Sequence, residues 1–389
     1  MNAERRPVGF GRRLEDATRP PTRPHVPDGA VGLDDAAMQL LIPKRDGRGH
    51  KGTFGKVLVV AGSLDYAGAG LLVCRAAGRG GAGLVTLAVP ESLQPLFAAK
   101  VIEATTMALP EDDLEEVDPE PALAKILDHE HDALVLGPGL RPSLATAELV
   151  RLILTTPEEP AAAPAVLDAE ALRILATADE WWSAVTRPAI LTPHPGEFAR
   201  LRSGAGHESD EDGDIAGDDD ARVRAANSAA VEWRQVVVLK GARTVIAAPD
   251  GAVAVAPFEN PALATGGTGD VLAGTIGALL AQGLDPFGAA RLGVYLHGLA
   301  GEAVRERLGE AGLLAGDLPD QIPLARKRLA ALAERGRREK RIGFGVREAD
   351  VAATVNPAGG VDDDDAEGRQ QRPGVNPQPA PAGDGDAGR

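Results

Sequence analysis

Residues Lys56 to Val89 read KVLVVAGSLDYAGAGLLVCRAAGRGGAGLVTLAV, and the pattern changes character twice within them. Lys56 to Ala61 is a short apolar run rich in β-branched valine, which predicts a strand buried on both faces. Gly62-Ser63 ends it, and a helix is predicted through about Ala69 to Gly78. The Gly80-Gly81 pair breaks that helix, and Leu84 to Val89 predicts a second buried strand. Buried strands joined by a helical crossover make the repeating unit of a parallel sheet.

Toward the C-terminus the alternation continues. Helices are predicted near Ser92 to Lys100, Pro121 to His129, Leu144 to Leu154 and Ala169 to Ala176, with strands at Val101 to Met107, Ala133 to Leu136, Ala165 to Asp168 and Ala189 to Thr192. Pro193-His194-Pro195-Gly196-Glu197 opens another helix. A helix near Arg222 to Trp233 leads into strands Val236 to Lys240 and Val245 to Ala248, and Pro249-Asp250-Gly251 makes a hairpin back to Ala252 to Ala256. Helices over Asp270 to Gln282, Phe287 to Leu308 and Pro319 to Arg335 end the globular pattern. The fold class read from this order is α/β, a largely parallel central sheet with helices on both faces. Ligands bind such sheets at the carboxyl ends of the strands. Gly62-Ser63, Gly137-Pro138-Gly139, Asp168 and the His194 turn all fall there.

The flanks differ in composition. Residues 1–49 are Arg/Pro-rich and read as a tail or linker with one short helix near Leu33 to Leu41. A single domain is expected over 50–335, interrupted by an acidic, solvated insertion at 203–220, and residues 336–389 read as a disordered acidic and Pro-rich tail. The net charge of -16 leaves no basic patch, so neither a nucleic-acid partner nor an anionic membrane is expected. No apolar run reaches membrane-spanning length and the start carries no secretory core, so a cytoplasmic location is expected. The single Cys74 forms no internal disulfide, which fits a reducing compartment.

The chemistry is concentrated in NPALATGGTGDVLAGTIGALLAQ, Asn260 to Gln282. A loop of small residues, Thr265 to Gly269, runs directly into an apolar helix. Unpaired N–H groups and the helix dipole converge there, and Gly267, Thr268 and Gly269 form a candidate anion hole. Asp270 in the same turn is a candidate base for a hydroxyl attacking a bound phosphate. A capping aspartate in a tight turn would look the same in isolation. No GxxxxGK[ST] or GxGxxG fingerprint accompanies the loop, and HPGE lacks the spacing of a zinc site.

Several segments together resemble the ADP-dependent NAD(P)H-hydrate dehydratases of the ribokinase-like superfamily. They are HKGTFGKVLVVAGS, GAGLVTLAVP, VLGPGL, VLDAEAL, LTPHPGEFARL, VVLKGARTVI, NPALATGGTGDVLAG and YLHGLAGEAV, in that order, and they cover about Gly49 to Leu329. The resemblance implies a ribokinase-like three-layer sandwich. It implies an enzyme that dehydrates the S-form of NAD(P)H hydrate, a 6-hydroxy nicotinamide nucleotide, back to NADH or NADPH while ADP becomes AMP and phosphate. It further implies that Asp270 is catalytic, and that Ala69, Gly139, His194 and Asp270 contact the hydrate. Lys240, Gly241, Ala242, Arg243, Thr244 and Gly269 are implied to line the adenine nucleotide. Magnesium is expected, although no carboxylate cluster identifies its ligands and Asp168 is the nearest candidate. A homo-oligomer is expected, a tetramer being one size it allows. Ala262-Leu263 depart from the Gly-Met that the family often carries at this point, and the loop glycines remain. A small-molecule kinase of the same superfamily is the alternative reading, since it would keep GTGD.

Overall fold

Successive side chains of a strand point to opposite faces, and here both sets are apolar, so only helices on both sides can bury the sheet. The computed structural model, which describes residues 26–157, 162–204, 215 and 217–332, has that arrangement. Strands β1 (Val31–Gly32), β2 (Lys56–Val60), β3 (Leu84–Pro90), β4 (Thr105–Leu109), β5 (Ala133–Leu136), β6 (Ala165–Leu167), β7 (Ala189–Leu191), β8 (Val236–Leu239), β9 (Val245–Ala247) and β10 (Val253–Val255) form one sheet. Its order is β1-β10-β9-β8-β7-β6-β5-β2-β3-β4. Every pairing from β2 to β8 is parallel, β9 runs antiparallel to β8 and β10, and β1 is parallel to β10.

Helices α1 (Asp35–Met38), α2 (Ala67–Gly80), α3 (Gln94–Ala98), α4 (Pro119–Asp128), α5 (Leu144–Thr155), α6 (Glu170–Leu175), α7 (Pro195–Gly204), α8 (Asp219–Trp233), α9 (Thr268–Ala281) and α10 (Pro286–Leu308) complete the chain order. Val57, Val59, Val135, Val166 and Ile190 share one core with Val73 of α2, Val271 of α9 and Leu292 of α10. Their strand neighbours Leu58, Val60, Leu134, Leu167 and Leu191 share the other with Leu149 of α5 and Ala226 of α8. The fold is therefore the ribokinase-like α/β sandwich, helices over both faces of a largely parallel sheet.

The strand order reverses beside β2, with β3 and β4 on one side and β5 onward on the other. That reversal opens a crevice at the carboxyl ends. The Gly62 N–H donates to the Pro138 carbonyl at 2.8 Å, tying the ends of β2 and β5 together.

Helix α9 is apolar on nearly every face and is covered by α2, α10 and β5. Small residues make this close packing feasible. A methyl added at Gly274 would lie 2.3 Å from the Val73 carbonyl oxygen of α2, and one added at Gly277 would lie 2.5 Å from Val135 of β5.

The structure moves several expected boundaries. β4 begins at Thr105 rather than Val101, because the Val101 N–H is taken by the Phe97 carbonyl at 2.9 Å in closing α3. The helix expected over Ser92 to Lys100 is a tight turn, Glu91–Leu93, followed by the short α3. α9 starts at Thr268, ahead of Asp270. Within the stretch expected as a tail or linker, β1 pairs with β10, the short helix is α1, and Leu33 and Met38 are buried. Of the acidic insertion, residues 205–214 and 216 lie outside the described residues; at its end Asp218 caps α8 by accepting the Asp220 N–H at 2.9 Å. The last predicted helix is described only over 322–332, and residues 1–25 and 333–389, with most of both expected tails, lie outside the described residues.

Gly274→Ala should cost about 1–3 kcal/mol by overpacking the α2–α9 crossing. Gly78→Ala, on the exposed side of α2 where a methyl meets nothing within 4 Å, should instead stabilise by about 0.5–1 kcal/mol. Calorimetric melting of both variants reads the opposite signs.

Candidate active site

Helix α9 is entered through Gly267, whose φ of 90° places the chain in the left-handed region that favours glycine. The first bond back along the helix is from the Val271 N–H to the Gly267 carbonyl, at 3.3 Å. The N–H groups of Gly269 and Asp270 precede it and have no partner within the helix. They open toward the crevice side with the positive end of the helix dipole behind them. The Thr268 hydroxyl does not join them: it is shared between the carbonyls of Leu263 and Thr265, each 2.9 Å away, and so fixes the shape of the loop.

Behind the Thr268 carbonyl lies His297 of α10, whose Nε2–H donates to that oxygen at 3.0 Å. Burial pushes the imidazole pKa from 6.5 down to about 4, so the ring is neutral and acts as a fixed donor.

Asp270 projects among charges of both signs. Asp168, buried at the end of β6, accepts from Lys240 Nζ at 2.7 Å, and Glu197 of α7 stands 3.7 Å from the same ammonium. Burial would lower the Lys240 pKa, but the carboxylates of Asp168, Glu197 and Asp270 more than reverse this and hold it raised. Burial is also the largest effect on Asp270. It drives that carboxyl from 3.8 up to about 7, the Asp168 charge adding to the rise and Lys240 opposing it. A carboxyl poised near neutrality can accept a proton from a substrate hydroxyl and later release it.

The other expected substrate contacts sit nearby. Ala69 at the start of α2 and Gly139 after β5 are brought face to face: a methyl on Gly139 would fall 2.7 Å from the Ala69 Cβ. Gly267 lies against Leu72, a turn further along α2. His194 follows β7 and caps α7. Its Nδ1 accepts the N–H groups of Gly196 and Glu197 at 3.0 and 3.3 Å, while the Glu197 carboxylate takes the His194 N–H at 2.9 Å. The His194 side chain is half exposed, with its Nε2 3.5 Å from Glu197 Oε1.

On the far side of Gly269 lies a cavity of about 540 Å³. Lys240, Gly241, Ala242, Thr244 and Gly269 line it, five of the residues expected around the nucleotide. Arg243 does not. Its guanidinium turns to Asp219, 2.5 Å away, while its backbone stays in the loop with φ 54°. The apolar part of the wall is Phe258, Leu263, Leu272 and Val294. Glu197, His297 and Phe258 were not singled out in the sequence, although HPGE and YLHGLAG carry the first two; only contact with Lys240 and Thr268 gives them meaning. No group of three or more His, Cys, Asp or Glu side chains is placed to hold a metal ion among the described residues. A magnesium ion would have Asp168, already bonded to Lys240 at 2.7 Å, as its carboxylate here and would otherwise depend on phosphate oxygens and water.

The family model described as NAD(P)H-hydrate dehydratase matches residues 57–324. A bifunctional NAD(P)H-hydrate repair enzyme of Moorella thermoacetica is 44% identical over 76% of this chain and 54% of its own length. The chain thus spans about half the length of such bifunctional relatives. An ADP-dependent (S)-NAD(P)H-hydrate dehydratase of Bacillus subtilis is 36% identical, over 75% of this chain and 96% of its own. The crystal structure of an ADP/ATP-dependent NAD(P)H-hydrate dehydratase from Bacillus subtilis, co-crystallised with ATP and Mg2+, superposes with a TM-score of 0.64 and 34% identity, covering 77% of this chain and 99% of that one. A ribokinase-like superfamily protein of Enterococcus faecalis, at 24% identity, shares the fold with a TM-score of 0.63 over 78% of this chain and 97% of its own.

Asp270→Asn should raise the melting temperature at pH 8 and leave it unchanged near pH 4. With a folded pKa of about 7 against 3.8, the native state binds a proton that the unfolded state has released. The wild-type chain therefore loses stability as pH climbs through that window, and the amide does not. Melting curves across the window read the difference.

Proposed function

The chain belongs to the NAD(P)H-hydrate dehydratase family, and from that premise we propose that it converts (S)-NAD(P)H hydrate back to NAD(P)H at the expense of ADP, releasing AMP and phosphate. The observation that carries the reading is the position of Asp270. It lies in the first turn of α9, next in the chain to Gly269 of the cavity that Lys240, Gly241 and Thr244 also line, with the charges of Asp168 and Lys240 acting on its carboxyl.

Hydroxide is a poor leaving group, so the reaction needs the hydrate hydroxyl converted to a better one. Asp270 takes the proton of that hydroxyl as its oxygen attacks the terminal phosphorus of ADP and the bond to the bridging oxygen of AMP breaks. Of the expected Gly267–Gly269 hole, the Thr268 N–H is directed to the Thr265 carbonyl at 3.4 Å, so the Gly269 N–H together with that of Asp270 holds the transferring phosphoryl oxygens, and Lys240 neutralises charge growing there. The ring nitrogen then expels phosphate, and loss of a proton from the neighbouring carbon restores the dihydropyridine. Magnesium, when bound, supplies further charge neutralisation on the phosphates. Glu197 and Asp168 keep the Lys240 ammonium in place, and His297 keeps the loop carbonyl turned away from the phosphate.

ADP is the proposed phosphoryl donor, magnesium the proposed metal, and a homo-oligomer in the cytoplasm the proposed setting. The catalytic domain is proposed to run over residues 50–335, with 26–49 strapped to its edge through β1.

The test mixes the full chain with NADH hydrate, magnesium and ADP and follows recovery of the dihydropyridine absorbance. Recovery is expected, with kcat/KM rising with pH through a pKa of about 7 as the Asp270 carboxyl ionises. Asp270→Asn should lose roughly 100-fold or more and, with it, that acidic limb. A stable phosphorylated product without recovered NADH would instead identify a kinase.

A further inference from the structure

One wall of the cavity beside Gly269 has no part in the chemistry. Phe258 sits in the loop between β10 and the α9 entry, and its ring rests on Gly298 of α10, where a methyl would come within 2.1 Å of its Cδ2. Tyr295, one turn back on α10, packs against it with ring centroids 5.1 Å apart at 56°. Tyr295 is itself held, its hydroxyl donating to Asp35 Oδ1 of α1 at 2.8 Å. The Phe258 carbonyl accepts the Arg243 N–H at 2.9 Å, so the backbone of this residue is tied to the Gly241–Thr244 loop across the cavity. Tyr295 backs the ring from outside the lining, and with a fixed backbone the Phe258 aromatic side chain forms part of the cavity wall together with Gly298, Leu263 and Val294. The charged and N–H groups that suit phosphates, Lys240 and Gly269, line the same cavity.

We propose that Phe258 is the stacking platform for the base of the bound nucleotide, and that it makes the site select purine over pyrimidine nucleoside diphosphates. The inference rests on the reading of this cavity as the nucleotide site. Stacking on an aromatic ring scales with overlapped π surface, so a bicyclic purine gains more from this face than a single pyrimidine ring. The selection is by shape and area rather than by hydrogen bonds to base edges.

Isothermal titration of the full-length chain with ADP and with CDP tests this without any need for hydrate turnover. The wild-type chain should bind ADP on the order of ten-fold more tightly than CDP. Phe258→Leu, which keeps apolar bulk but removes the flat face, should lose about that factor for ADP and little for CDP. Phe258→Tyr should retain the preference. Melting without nucleotide checks that the Leu variant folds; should it melt early, Gly298→Ala provides a second route, because its methyl displaces the ring and should weaken ADP more than CDP. An unchanged ADP to CDP ratio in folded Phe258→Leu overturns the proposal. Selective binding without dehydration of NADH hydrate upholds it and removes only the dehydratase reading, whereas a wild-type chain that binds neither nucleotide overturns both.

Discussion

The site depends on one costly placement, a half-buried carboxylate at a helix N-terminus beside other carboxylates. Asp270, Asp168 and Glu197 gather around the single ammonium of Lys240, and burial disfavours every ionised member of such a group. Lys240 touches Asp168 at 2.7 Å, whereas for Asp270 its charge only opposes the rise that burial and the Asp168 charge impose. Burial, with the Asp168 charge adding to it, is what brings the Asp270 carboxyl up to about 7 despite the nearby ammonium. Direct contact with the cation distinguishes a structural carboxylate from a proposed base.

Holding that arrangement in place falls to packing rather than to hydrogen bonds. α9 carries Asp270 while lying between α2, α10 and the sheet, and it does so with a sequence of Gly, Ala and Thr at the contacts. Close backbone approach makes the helix position insensitive to side-chain rotation, since Gly274 and Gly277 have no rotamers to change. His297 adds a polar tie from α10 to the loop. Its neutrality and the raised Asp270 pKa have the same largest cause, loss of solvent around the group.

Much of this was legible in the sequence. The strand and helix alternation is strong because each buried strand is a short run of Val, Leu and Ala bounded by Gly or Pro, and the parallel sheet follows from it. The glycine loop that enters α9 was legible because its glycines precede an apolar helix without interruption. The boundary of β4 was not, since Val101 is as apolar as the strand residues and only the bond to Phe97 assigns it to the end of α3. Nor could Arg243 be placed: its neighbours line the cavity, and the turn of its own side chain toward Asp219 is a tertiary event. Glu197 and His297 gain their roles from residues far away in the chain, which local spacing cannot report.

The segment ahead of the domain illustrates the same limit from the other direction. Arg and Pro content reads as a linker, yet β1 adds a strand to the edge formed by β10, and Asp35 accepts the Tyr295 hydroxyl. Edge strands leave unpaired backbone groups that invite another chain, and covering β10 with β1 moves that exposed edge onto a strand of only two residues. Because Tyr295 stands behind Phe258, the cover reaches the cavity through two aromatic rings. A stretch that composition marks as peripheral therefore helps define the wall against which, in the proposed reaction, the nucleotide is held.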